Sequence, residues 1–108
     1  SMQRKYFLIM STLPDMEHGK EIAKALVEER LAACVNLIPN LTSVYRWEGK
    51  VEEANEVLAL IKTDDENLDR AISRLRELHP YKVPEILALA IDNGFKPYLE
   101  WISGSVSK

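Results

Sequence analysis

A single cysteine, Cys34, occurs in these 108 residues, so no disulfide can form within the chain. An unpaired thiol fits a reducing compartment, and the cytoplasm is the expected location. Apolar runs are short, and none approaches the ~18 residues that a membrane span needs. The N-terminal residues lack a signal-peptide layout. Lysine and arginine form no block. Arg70, Arg74 and Arg76 lie close together, but Asp64, Asp65, Glu66 and Asp69 precede them, and the net charge is -3. That pattern argues against a nucleic-acid surface. It reads instead as a solvated helix face with pairs such as Glu66–Arg70. Gly-rich phosphate loops, CxxC and HExxH are all missing, so the expectation is a protein that is not an enzyme. Histidine is scarce too, with only His18 and His79. Repeats, low-complexity tracts and linkers are absent.

What is present reads as a globular chain, with 46% apolar and 29% charged residues. A chain of this length fits one domain, predicted over 2–108, and buries roughly two-thirds of its unfolded surface. Ser1 before Met2 reads as an expression remnant.

The run KYFLIMST, Lys5 to Thr12, predicts a buried strand. Pro14-Asp15 stops it. Asp15 is suited to capping a helix that carries Gly19, Ile22, Ala23, Leu26 and Val27 at helical spacing, to about Arg30. Residues 33–46 predict a strand that Pro39-Asn40 interrupts, which implies an edge position or a bulge. WEGK, Trp47 to Lys50, predicts a hairpin turn in which Gly49 takes the permissive backbone. The returning strand runs from about Val51 to Lys62. From Val57 onward both its faces are apolar, which suggests cover on both sides. TDDE, Thr63 to Glu66, has the form of a capping box before Leu68, Ala71, Ile72, Leu75 and Leu78. Glu85 to Ile91 predicts another strand, and Pro97 can start a last helix. The order β-α-β-β-α-β, with a C-terminal helix added, is that of an α+β ferredoxin-like sandwich.

The central hairpin is long. Each predicted arm has about a dozen residues and reaches on the order of 40 Å, whereas a compact domain of this size has a radius of gyration of about 13 Å. Its tip carries Val44, Tyr45, Trp47 and Val51. An apolar projection left in water invites association, so these four residues are expected at an oligomer interface. Trp47 and Trp101 are expected to act as packing anchors.

The stretch LHPYKVPEI, Leu78 to Ile86, joins the second helix to the fourth strand. Pro80 disfavours helical geometry at His79, and Pro84 sits harmlessly at a strand start. The prolines are therefore structural, while the polar groups are expected to face a cleft. His79 and Cys34 are the candidate metal ligands. Lys62, Tyr81, Glu85 and Glu56 are the candidate cleft groups. Cys34 reads first as a small buried hydrophobe and only second as a ligand, and no catalytic residue is assigned.

RLAACVNLIP at 30–39, SVYRWEGK at 43–50, EVLALIKT at 56–63, HPYKVPEI at 79–86 and YLEWI at 98–102 together resemble the CutA divalent-cation tolerance proteins. The resemblance runs over nearly the whole chain. It implies a ferredoxin-like homotrimer with interlocking hairpins, a response to metal ions, and copper as the associated ion in some members. Some bacterial members carry a Cys where this chain has Ser11, and a His where it has Leu78. Of that copper-associated set only His79 remains, so copper is expected to bind weakly. The resemblance also supports a second reading. This is a trimer akin to the PII-like signalling proteins that holds a small ligand or protein partner between subunits.

Overall fold

Asp15 begins the first helix as its position suggests, its Oδ1 accepting from the His18 N–H at 2.8 Å. In the computed structural model, which describes residues 3–107, seven elements follow one another. They are β1 (Tyr6–Leu13), α1 (Met16–Glu28), β2 (Cys34–Trp47), β3 (Lys50–Asp64), α2 (Leu68–Leu78), β4 (Ile86–Ile91) and α3 (Lys96–Ser105). The reading of Ser1 as an expression remnant, and both ends of the 2–108 domain, lie outside the described residues.

The strands form one antiparallel sheet in the order β2-β3-β1-β4. With α1 and α2 packed on one face, this is the α+β ferredoxin-like sandwich that the element order implies, extended by α3. The core lies between that face and the helices. It includes Ile9, Leu13, Val57, Ala59 and Ile61 from the sheet, with Ile22, Leu26, Ala71 and Leu75 from the helices. Fully burying a side chain such as Leu26 contributes roughly 1.5–3 kcal/mol. Arg74 ties the helices at the surface through Glu29, at 2.9 Å. A second cluster joins Ala33 to Ile102 and Val106 of the C-terminal segment, with Tyr6 and Leu99 against it. By strand alternation Tyr6 belongs to the face opposite Ile9, so α3 covers one end of that face.

Among the described residues no helix lies over the rest of that opposite face. Register places Leu8, Met10, Ile38, Leu58, Leu60, Leu87 and Leu89 on it. Leu87 is 55% exposed, and Leu58 and Leu60 are only half-buried. The two-sided apolar pattern after Val57 thus meets two helices along one side and only the end of α3 on the other.

The hairpin arms are longer than the sequence suggests, at 14 and 15 residues. They stretch the molecule to 50 × 26 × 22 Å. Pro39-Asn40 makes both features that a proline there implies. β2 is an edge strand, and its register shifts between Ile38 and Leu41, with Asn40 at φ 64°. Trp47 and Val51 at the tip stand 47% and 65% exposed.

Two local expectations are corrected. The capping box does not form, because Thr63 is still inside β3 and donates its hydroxyl to the Leu31 carbonyl at 2.7 Å. Asp64 organises the turn instead, its Oδ1 accepting from Asn67 N at 3.1 Å and Nδ2 at 2.9 Å. The Glu66–Arg70 pair is also absent. Glu66 meets Arg4 at 2.8 Å, and Arg70 donates to the Asn67 side chain.

The tip turn uses two left-handed residues, Glu48 at φ 49° and Gly49 at φ 81°. Only the second is a glycine, so Glu48 carries strain that a Cβ imposes there. Glu48→Asn should raise the urea unfolding midpoint, by an amount equivalent to about 0.5–1 kcal/mol. An unchanged midpoint would contradict the strain.

Candidate functional site: the cleft under the hairpin

β1 ends at Leu13, opposite Val57, where Pro14 halts it. β2 and β3 run on without it, from the Leu41–Glu56 pair to Trp47–Lys50. The connection after α2 passes through the space that β1 leaves. The result is a cleft of about 650 Å³ between hairpin and connection. Tyr45, Trp47 and Glu56 line it from the hairpin, and Tyr81, Lys82 and Glu85 from the connection.

Of the candidate cleft groups, Glu56, Tyr81 and Glu85 meet here. The Tyr81 hydroxyl donates to Glu56 Oε2 at 2.6 Å. Burial, followed by the Glu56 side chain, pushes the Tyr81 hydroxyl well above its ordinary pKa, so it stays a donor. Lys62 lies elsewhere. It is on the same strand as Glu56 but opposite Cys34, with Nζ 3.9 Å from Sγ and against the Asn36 side-chain oxygen. Three of the tip residues expected at an interface, Val44, Tyr45 and Trp47, line this cleft, whereas Val51 does not. Trp47 is half-exposed at the cleft wall, and Trp101 is equally exposed and stacks on Tyr98 at 5.4 Å. Neither tryptophan anchors the core. Sequence reasoning missed Thr12 and Ser43 as lining residues. Their only signal was membership of the two segments that the fold brings together.

His79 does not face the cleft. It is 7% exposed and turned towards the end of β1. The Tyr81 N–H donates to its Nδ1 at 3.2 Å, which puts the ring proton on Nε2. Nε2–H then reaches the Thr12 carbonyl at 3.0 Å and the Ser11 hydroxyl at 3.1 Å. Burial lowers its pKa from the ordinary 6.5, partly opposed by the hydrogen bond to Thr12 and the nearby Glu56. His79 is thus a buried, satisfied imidazole that holds the connection against β1.

These donors do not fit a copper ion within one subunit. The only lone pair of neutral His79 is occupied by Tyr81 N–H, and Ser11 is engaged as well. Cys34 belongs to the edge-strand end of the sheet, beside Lys62. Among the described residues no group of three His, Cys, Asp or Glu is arranged to hold a metal. His18 is paired with Asp15 at 2.8 Å, which raises its pKa.

The family model of the CutA1 divalent ion tolerance proteins matches residues 7–105. The chain belongs to the CutA1 family. It is 52% identical over 95 residues to the divalent-cation tolerance protein CutA of Thermus thermophilus, a match that covers 88% of this chain and 92% of that one. It is 50% identical over 91 residues to the CutA protein of Homo sapiens, over 84% of this chain but only 51% of the human one. Among solved structures, CutA1 of Oryza sativa superposes with a TM-score of 0.93 at 41% identity, over 96% of this chain and 95% of that one. The CutA1 fold is therefore the fold of this chain. No helix among the described residues is long and apolar enough to cross a membrane.

Two outcomes follow from the environment of His79. His79→Ala leaves the Tyr81 N–H and the Thr12 carbonyl unpaired and should cost about 1–3 kcal/mol in urea unfolding. The folded-state pKa lies below the unfolded one, so acid favours the unfolded chain. Stability from this group is complete above about pH 6.5 and is lost as pH falls towards the lower folded value. His18, with its pKa raised, works in the opposite direction, but it cancels when variants are compared. The difference in stability between wild type and His79→Gln should shrink on acidification through that window. A difference independent of pH would contradict the burial of a neutral ring.

Proposed function

We propose that this CutA1-family protein serves divalent-cation tolerance, as part of the response to metal ions, by acting as a homotrimer. The observation that carries the assembly is the uncovered apolar face, continued by the exposed hairpin tip. Leu87, Leu89, Val44, Tyr45, Trp47 and Val51 all stand 45% or more exposed in one subunit. A neighbour that covers them removes a surface no soluble chain keeps open at low cost. The number three comes from the family resemblance. The reading is non-enzymatic, and the single unpaired Cys34 supports the cytoplasm as its compartment.

Static light scattering should give a trimer at micromolar concentration. Trp47→Asp or Tyr45→Asp should weaken it, since each buries a charge in an apolar contact. A folded wild-type monomer would sink the reading.

Copper binds weakly on this account. Ser11 and Leu78 replace the two further donors that some members have, and the His79 lone pair is taken. Calorimetric titration of metal-free protein with Cu(II) should show weak binding that His79→Ala leaves unchanged. One tight site per subunit that vanishes in His79→Ala would reverse this conclusion.

The second reading, a PII-like trimer that holds a small ligand or partner between subunits, is favoured by the cleft between hairpin and connection.

A further inference from the structure

Among the described residues two carboxyl side chains are buried, Asp64 and Glu56. Asp64 is matched by the Arg4 guanidinium at 2.9 Å. Glu56 is 7% exposed, yet no cation of the described residues pairs with it. Its recorded partner is the Tyr81 hydroxyl, on Oε2 alone. Among the described residues no buried side-chain oxygen lacks a partner, so the second carboxyl oxygen of Glu56 opens to the cleft, where an entering cation can reach it.

The surroundings of Glu56 are aromatic. Tyr45, Trp47 and Tyr81 line the same cleft, and so does a second carboxyl, Glu85. Lys82 is the one basic side chain of the lining; it is exposed, and no ion pair joins it to Glu56 or Glu85 among the described residues. Ring faces attract cations, most strongly where water is excluded. A volume of about 650 Å³ suits a small molecule. A bare divalent ion wants several oxygen ligands at short range, and this cleft assembles no such set. An ion with its own apolar surface fits the rings better.

We propose that the cleft binds a small organic cation, an ammonium or guanidinium ion, whose charge meets Glu56 and whose apolar part lies against Tyr45, Trp47 and Tyr81. This deepens the ligand-binding reading and rests on it: the neighbouring subunit covers the outer edges of Tyr45 and Trp47 and closes the cleft without filling it, so that both rings still line the pocket.

Choline, methylguanidinium, Cu(II) and 3,3-dimethylbutan-1-ol, the uncharged isostere of choline, are titrated separately into the Trp101→Phe protein. Trp47 emission is then the signal, and light scattering on the same samples reports assembly. Choline or methylguanidinium should saturate, and choline should bind at least about tenfold tighter than the uncharged isostere. Glu56→Gln should weaken the cation about tenfold or more. Tyr45→Leu, which leaves the carboxyl in place, should weaken it several-fold. Equal binding of choline and its isostere overturns the proposal without any substitution at Glu56. Saturation by Cu(II) alone overturns it in favour of a metal at the same carboxyl. A trimer that binds neither organic cation overturns it while leaving the assembly intact.

Discussion

A four-stranded sheet with apolar residues on both faces is dry only if each face is covered. In this chain two helices supply one cover, and α3 reaches only the end of the other face. Ile9, Leu13, Val57, Ala59 and Ile61 are sealed against α1 and α2. Their neighbours along the same strands, Leu58 and Leu60, are not sealed. Period-two alternation makes this unavoidable, since any residue that faces the helices puts the next one on the far side. The long hairpin extends the same imbalance beyond β1, because Val44, Tyr45, Trp47 and Val51 at its tip stay 45% or more exposed. The association we propose follows from how the chain divides its apolar residues between two faces.

The cleft arises from a related mismatch of lengths. β1 stops at Pro14, while β2 and β3 continue to Trp47 and Lys50. The connection after α2 fills the vacated strip, and two hydrogen-bonded links hold it there. His79 bonds to the end of β1, and the Tyr81 hydroxyl bonds to Glu56 on β3. The two links are adjacent, for the Tyr81 N–H also fixes the His79 tautomer. A residue that the sequence marks as a metal candidate therefore acts as the hinge pin of the cleft wall. Its burial explains both its low pKa and its poor fit to a metal.

The legibility of these features in the sequence depended on their range. Asp15 as a cap, Gly49 in the turn, Pro97 at a helix start and the bulge at Pro39-Asn40 follow from local backbone chemistry, and each stands where that chemistry puts it. The capping box at Thr63 looked equally local. It failed because the register of β3 against β1 runs on to the Tyr6–Asp64 pair and keeps Thr63 in the sheet. The inward turn of His79 was invisible for the same kind of reason, since its partners Ser11 and Thr12 are remote in the chain. Glu56 reads as one polar residue on a long strand. Only the place where β1 ends makes it the buried acid of a cleft. The CutA1 resemblance carried the fold well, but it did not show which way individual polar groups point.

The most direct test of the central claim is native-state hydrogen exchange on the outer amides of β2, from Leu41 to Trp47. These N–H groups alternate between partners on β3 and an edge that is open in the lone subunit. If neighbouring subunits cover the hairpin, the outward amides will be protected almost as strongly as those of β1 in the core. Outward amides that exchange freely beside a protected core would mean that the hairpin stands alone in water, and the account of assembly would fail.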